Sequence, residues 1–391
     1  MNYQLNRAVS GVEAPPIAEA MSWINSSAPR NRALLNLCQA VPSYPPAESL
    51  QDELARRIRL PETSLYTDIA GIPPLREALA QHMARDYGGH VDTVNTLITS
   101  GCNQAFCAAL SAIAEPGDNV ILPSPWYFNH QMWLAMQGIE IRTFNFMGAQ
   151  GANPNPAAAE ALMDARTRAI ILVSPNNPTG AIFPPAVTTA FFELAKAKQI
   201  ALVLDETYKD FRPTAAPPHH LFQRDDWQDT LIQLYSFSKV FALTGYRAGS
   251  IIAGRKVLAE AEKIIDCMAI CAPRIGQDAA LFGLQHLENW KREKTAIMAD
   301  RLAALQAAFK APALKYELVS CGAYFAYVRH PFTGTPSKTV AQKLAREHDL
   351  LCLPGSMFGP GQEDYLRLAF ANVEAALMPD AVARLVESQQ H

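Results

Sequence analysis

The chain carries little charge and almost no excess of either sign: 18% of its 391 residues are Asp, Glu, Lys or Arg, and the formal net charge is -3 at pH 7. That balance excludes the basic footprint of a nucleic-acid binder and implies no strongly charged partner. Long apolar runs are missing, which excludes a membrane-spanning helix on length alone. The first 30 residues hold acids and prolines and lack an apolar stretch behind a basic start, so no secretory signal is expected. Repeats, low-complexity tracts and long polar linkers are also lacking. Cysteine is sparse: seven residues, an odd number, stand at 38, 102, 107, 267, 271, 321 and 352, without the paired spacings and nearby histidines of a zinc site. No metal is expected, and a reducing, cytoplasmic setting fits best. Cys267 and Cys271 would share a helix face and read as buried packing. His219 and His220 lie in a proline-rich loop and read as surface residues.

What is present is length enough for a full core and a hydrophobic fraction of 49%. Short β-rich runs recur through the middle: NTLITS (95–100), NVILP (119–123), AIILVSP (169–175), ALVLDE (201–206), LIQLYS (231–236) and SIIAG (250–254). Each is nearly continuously apolar, as strands buried on both faces are. Helices are expected between them over 103–115, 129–138, 156–165 and 185–199. The alternation predicts an α/β fold whose central sheet is mostly parallel, with helices on both faces. From about 256 the texture changes to long amphipathic helices, notably 275–308, then YELVSCGAYFAYVRH and a closing helix near 374–389. That part reads as a smaller α+β domain. The segment VPSYPP (41–46) has no helical period and is expected to pack on it. The expected division is a large domain over 46–284 and a small one built from 1–45 and 285–391.

In open α/β sheets ligands bind at the carboxyl ends of strands, so the residues that end each run are the ones to collect. TSGCNQAF ends one strand at Gly101 and enters a helix through Cys102 and Asn103, where free amides would hold an anion. SPNNPTG (174–180) ends another with two asparagines in a turn. DETYKDF (205–211) offers Asp205 and Tyr208. SFSKVFALTGYRAG (236–249) sets Lys239 beside Ser236 and Ser238, with Arg247 eight residues on. Taken singly these are a common turn, a helix cap and a solvated lysine. Taken in order, all suit one ligand, pyridoxal phosphate. Its phosphate wants amides, hydroxyls and a planar guanidinium, its aldehyde a lysine, its ring nitrogen a carboxylate and its phenolic oxygen hydrogen-bond donors.

With these motifs, and with NLCQAVPSYPP (36–46), YTDIAGIPPLREAL (66–79), PSPWYFNH (123–130) and YLRLAFAN (365–372), the chain resembles the fold-type I pyridoxal-phosphate enzymes over almost its full length. Within them it is similar to the class I/II aminotransferases related to aspartate and kynurenine aminotransferases. The resemblance implies transfer of an amino group between a 2-amino acid and a 2-oxo acid in a ping-pong cycle. It makes Lys239 the Schiff-base lysine and proton shuttle, and pairs Asp205 with the pyridinium nitrogen. Asn177 and Tyr208 would hold the phenolic oxygen. Gly101, Cys102, Asn103, Ser236, Ser238 and Arg247 would surround the phosphate, and Tyr127 would cover the ring, with Trp126 a competitor for that place.

The resemblance also gives Tyr66 a reach to the neighbouring subunit's phosphate, which implies a homodimer with shared active sites, and Arg367 a grip on the substrate α-carboxylate. Where relatives often read Gly-Gln-Gly, this chain has Cys38-Gln39-Ala40, so Ala40 adds bulk near the substrate. Arg274, in CAPRIGQDAALFGL, either pairs with Asp278 one turn on or binds the distal carboxylate of a dicarboxylate in the partner's site. Without that role a neutral, aromatic substrate is favoured by Tyr44, Trp126 and Tyr127. A lyase, oxidase or synthase on the same fold would use the same cofactor shell. A ligand-sensing relative would need a DNA-binding module, and none precedes residue 30.

Overall fold

The computed structural model describes residues 3–24, 32–148 and 151–390. A short strand, β1 (Leu35–Asn36), precedes the seven strands of the main sheet: β2 (Thr96–Thr99), β3 (Asn119–Ile121), β4 (Glu140–Arg142), β5 (Thr167–Val173), β6 (Ala201–Asp205), β7 (Leu231–Ser236) and β8 (Gly249–Ile252). Their order is β2-β8-β7-β6-β5-β3-β4, parallel except that β8 runs antiparallel to both neighbours. Register places Val173 opposite Asp205, Asp205 opposite Leu234, and Gly249 between Thr99 and Ser236. The ends of β2, β5, β6 and β7 therefore meet along one edge of the sheet.

The apolar runs are explained by burial on two faces. Ile170, Leu172, Leu202 and Leu204 pack into one core with α1 (Pro73–Tyr87), α4 (Pro185–Ala197) and α6 (Arg274–His286). Ile171, Val203 and Leu234 point the other way, into a core with α2 (Cys102–Ser111) and α5 (Arg255–Ala269). Successive side chains alternate across the pleat, so a strand with helices on both sides must be apolar at every position. Helix α1 opens on Pro73-Pro74 and stops at Gly88, whose φ of +62° turns its N–H back to the carbonyls of Ala84 and Arg85. The remaining helix flanking this sheet that bears on the site is α3 (Phe128–Met136).

A second, four-stranded antiparallel sheet has its own core. Its members are β9 (Glu317–Gly322), β10 (Phe325–Arg329), β12 (Leu353–Pro354) and β13 (Tyr365–Ala369), in the order β9-β10-β13-β12, while β11 (Leu350–Leu351) pairs in parallel with β1. Helices α7 (Glu288–Ala308), α8 (Ser337–Glu347) and α9 (Met378–Glu387) supply Leu305, Leu344 and Leu385 to that core. The amino-terminal strand thus belongs with the carboxyl-terminal sheet. The turn after β5 meets the small sheet where Gly180, at φ +71°, faces Gly322: a Cβ on Gly180 would lie 2.4 Å from the Gly322 amide.

Four local expectations change. The stretch 275–308 is two helices, broken at buried Leu287, because α6 packs against the large core through Ala279 and Ala280 while α7 carries Leu305 to the small one. The helix expected over 156–165 covers only Pro156–Glu160. Asp164 ends the segment in a turn, accepting from Asn119 Nδ2 at 2.8 Å, the Arg166 amide at 2.8 Å and Arg142 Nη2 at 2.7 Å. Cys267 is exposed, and Cys271 lies beyond the end of α5, where its sulfur accepts from the Thr67 amide, so the pair does not share a buried face. His219 is buried: its Nε2 lies 3.3 Å from Glu206, and its ring sits 4.5 Å from that of Tyr87.

Candidate active site

At the meeting of the strand ends lies a cavity of about 150 Å³ lined by Cys102, Asn103, Tyr127, Val173, Asn177, Asp205, Thr207, Tyr208, Ser236, Ser238, Lys239 and Arg247. Its floor is Asp205, a buried carboxylate at the end of β6. Burial alone would push its proton affinity up, but donors overcome this and hold it below the ordinary carboxylate range. His130 Nε2 lies 3.3 Å from Oδ2, the Thr207 amide donates to Oδ1 at 3.0 Å, and the Cys102 thiol donates to Oδ1 at 3.7 Å. Burial beside that carboxylate keeps the thiol protonated, well above its ordinary value. His130 is itself fixed by stacking on Phe106, with ring centroids 3.8 Å apart.

Lys239 sits on the short helix Phe237–Val240, whose first turn Ser236 caps by accepting from the Ser238 amide at 3.2 Å. Its ammonium donates to the Ala40 carbonyl at 2.6 Å. Burial, then the charges of Arg247 and Arg367, lower its pKa from 10.5 to about 8. Arg247 adopts a left-handed backbone (φ 54°) and turns its guanidinium to the carbonyls of Ser100 and Thr244. Gly101, at φ +87°, lies so close that a Cβ there would come within 2.2 Å of Arg247 Nη2. The start of α2 is thereby held open beside a guanidinium, with the Cys102 and Asn103 amides free of intrahelical partners.

Buried Arg367, on β13, reaches the same region from the small sheet. It donates to Asn177 Oδ1 at 3.0 Å and to the Cys38 carbonyl, and its Nε has no partner among the described residues. The rings of Phe325 and Phe358 each lie 5.1 Å from the guanidinium carbon. Tyr208 is packed between Tyr324 and Phe325 at 5.1 Å from each.

The family model for aminotransferase class I and II matches residues 32–385. The chain is 26% identical to an aspartate aminotransferase of Thermotoga maritima, with 94% of each chain covered. It is 29% identical to the arginine–pyruvate transaminase AruH of Pseudomonas aeruginosa, covering 78% of this chain and 77% of that one. Among solved structures, Thermus thermophilus aspartate aminotransferase with maleate superposes with a TM-score of 0.88 at 25% identity, covering 99% of this chain and all of that one. The chain belongs to the class I/II aminotransferases.

This aminotransferase is a pyridoxal-phosphate enzyme that transfers amino groups between small amino and oxo acids, and its matches favour transamination over the lyase, oxidase and synthase readings. The residues present fit that cofactor. A free helix start, a glycine that leaves no room for a side chain and an arginine suit a phosphate. A lysine of lowered pKa suits an aldehyde, and a carboxylate held ionised suits a pyridinium.

Of the residues singled out from sequence, the cavity gathers Cys102, Asn103, Tyr127, Asn177, Asp205, Tyr208, Ser236, Ser238, Lys239 and Arg247, with Gly101, Ala40 and Arg367 in contact with those lining it. Tyr127 rather than Trp126 lines it; Trp126 borders a separate cavity beside Gly359. Tyr66 lies elsewhere on this chain and is 76% exposed. Arg274 is also outside the cavity, with its Nε 3.1 and 3.2 Å from the oxygens of buried Asp278. Sequence reading missed Thr207 and His130. The signal for His130 was available, since it follows Tyr127 by three residues at the start of α3 and so shares its side of the helix. No helix among the described residues is long and apolar enough to cross a membrane.

Proposed function

We propose that this cavity is the catalytic site, with Lys239 as the lysine that holds the cofactor and as the base of transamination. One observation carries the proposal: the Lys239 amine, the Asp205 carboxylate and the Arg247 guanidinium converge on one cavity from separate segments. When bound, pyridoxal phosphate supplies an aldehyde for amines and a ring that takes up the electron pair left by the departing Cα proton. Lys239 Nζ takes that proton from the substrate. At a pKa of about 8 instead of 10.5, about 300-fold more of the amine is neutral near pH 7 than for an ordinary lysine. Asp205 keeps the ring nitrogen protonated, and His130 keeps Asp205 ionised and in place.

Asn177 and Tyr208 would donate to the phenolic oxygen. The amides of Cys102 and Asn103, the hydroxyls of Ser236 and Ser238, and Arg247 would take the phosphate, while Gly101, whose amide donates to the Thr99 carbonyl at 2.8 Å, would supply room beside it rather than a donor. Tyr127 covers the ring. Arg367, whose Nε has no partner among the described residues, binds the substrate α-carboxylate beside Asn177, and Ala40 bounds the substrate side. A second oxo acid reverses the sequence, giving a ping-pong cycle.

The enzyme is proposed to act as a homodimer. Tyr66, Leu65 and Ile58 are all exposed within ten residues of one another, as an interface segment would be in a single chain. Tyr66 is assigned to the partner's phosphate and Arg274 to the distal carboxylate of a dicarboxylate there. The aspartate in the relatives' names supports that substrate class. The division into 46–284 and 1–45 with 285–391 is supported by the β1–β11 pairing. A cytoplasmic setting is supported by seven free cysteines.

Borohydride reduction of the holoenzyme followed by peptide mass analysis should find the cofactor adduct on Lys239, and Lys239→Ala should lose nearly all turnover. An adduct on another lysine, or full activity of the variant without added amine, would overturn the assignment.

A further inference from the structure

One group of side chains outside the cavity is arranged like a cation site. His82 and Asp86 on α1 and Asp210, just beyond the cavity residue Tyr208, bring a ligand atom each to within 4.8 Å of one another. The centre is taken by the ammonium of Lys209. Its Nζ lies 2.6 Å from Asp86 Oδ2, 3.2 Å from His82 Nε2 and 3.5 Å from Asp210 Oδ1, and 5.0 Å from the centre of the Tyr235 ring. The side chain is 2% exposed. Burial opposes the charge, yet Asp210 and Asp86 outweigh it and raise the pKa, while His82, desolvated and beside Lys209, falls to about 3 and stays neutral. The cluster is therefore a built-in cation in a three-ligand cage.

Its position matters because of the backbone that carries it. Tyr208 and Lys209 are consecutive, and the turn 209–211 is closed by the Lys209 amide on the Glu206 carbonyl and the Phe211 amide on the Tyr208 carbonyl. Asp205, Thr207 and Tyr208 line the cavity, whereas Glu206 is held elsewhere by Tyr87, Gln233 and His219. Asp210 in turn accepts from Tyr235 at 2.7 Å, lies 3.8 Å from Lys291 Nζ, and its carbonyl accepts from Thr295 at 3.2 Å. Both of the latter are on α7, the helix that continues to the small sheet.

We propose that Lys209 is a positioning residue: its ammonium locks the turn after β6 to α1 and, through Asp210, to α7, and so fixes the Tyr208 phenol at the cavity. The inference rests on the assignment of Tyr208 to the cofactor.

Lys209→Ala should lower kcat by about 100-fold with little change in KM, the cost of misplacing a group by about 1 Å. It should also move the pH midpoint of the bound cofactor's absorbance in the same direction as Tyr208→Phe does. Ethylammonium, which fits the space the lysine leaves, should restore at least about 10-fold of the loss in Lys209→Ala and nothing in Tyr208→Phe. Its binding to the variant apoprotein should raise Tm, and wild type should not respond. Should Lys209→Ala fail to fold, the pair Lys209→Met with Asp86→Asn removes the stranded carboxylate and undergoes the same kcat and absorbance tests. A folded variant with wild-type kcat and absorbance midpoint, or one whose loss is accompanied by an unmoved midpoint and no response to ethylammonium, overturns the proposal. If Tyr208→Phe itself leaves kcat and midpoint unchanged, the assignment of Tyr208 fails first.

Discussion

The proposed role of Lys239 as a base depends on surroundings that disfavour its proton, and the same effect destabilises the fold that holds it. In the unfolded chain the amine titrates near 10.5 and in the fold near 8. Between those values the unfolded state binds more protons, so stability rises with pH through that window, and the full penalty is present below pH 8. The side chain is only partly buried, so the penalty is discounted to ~2 kcal/mol. Lys239→Met apoprotein should be more stable than wild type by about that amount at pH 7, and the difference should vanish by about pH 10.5. Urea titrations of both apoproteins across this range check it; a constant difference would mean that the methionine merely packs better. For Asp205→Ala, loss of the charge proposed to pair with the cofactor's ring nitrogen should slow Cα proton removal by about 10²- to 10³-fold in single turnovers. Were Asp205 only a cap, the rate would hold and about 1 kcal/mol of stability would go.

The working element is the junction between a strand end and the next helix start. At β2–α2 the chain reverses through Gly101 at φ +87°, with the Arg247 guanidinium where a side chain would be. Gly101→Ala should cost about 1–2 kcal/mol from the backbone alone, and more from displacing Arg247. The backbone cost should appear as lower apoprotein stability, and the displaced Arg247 should weaken pyridoxal-phosphate binding by about 10-fold or more, the loss of one charge-assisted contact of about 1.5 kcal/mol, as read from fluorescence quenching on titration. Unaltered affinity would remove the start of α2 from the phosphate site. The segment 205–211 divides its labour by residue: Asp205, Thr207 and Tyr208 serve the cavity, and Glu206, Lys209 and Asp210 anchor it.

In the whole molecule, the small sheet closes the site by bringing Arg367 against Asn177, 190 positions away in sequence. The dimer proposal adds a partner to that closure. Mixing Tyr66→Phe chains with Lys239→Ala chains gives heterodimers in which one site has both lesions and the other neither. Activity above that of both parents is expected, and none would refute shared sites. For Arg274, Asp278 engages Nε and leaves the terminal nitrogens outside that bond. A bidentate grip worth about 2–3 kcal/mol predicts that Arg274→Ala lowers kcat/KM for dicarboxylates by about 30- to 150-fold while neutral amino acids change little. An equal loss for both classes would make Arg274 a helix residue paired with Asp278.

The strands, their burial on two faces and the residues at their ends were legible in the sequence, because alternation, apolar runs and the spacing of Lys239 from Arg247 are short-range properties of the chain. So was the cofactor, since each of its groups asks for a side chain that a strand end offers. A local signal marks both limits of α1, Pro73 at its start and Gly88 at its end. The break at Leu287 has none: it arises because the two halves of 275–308 serve different cores. The burial of His219 against Glu206, the reach of His130 to Asp205 and the contacts of Lys209 with His82 and Asp86 join residues 13 to 127 positions apart. Such contacts follow from sheet register and helix packing. The amino-acid order therefore determined which chemical groups the strand ends carry, and only the tertiary structure decided which of them meet, how far each is desolvated and hence which proton each keeps.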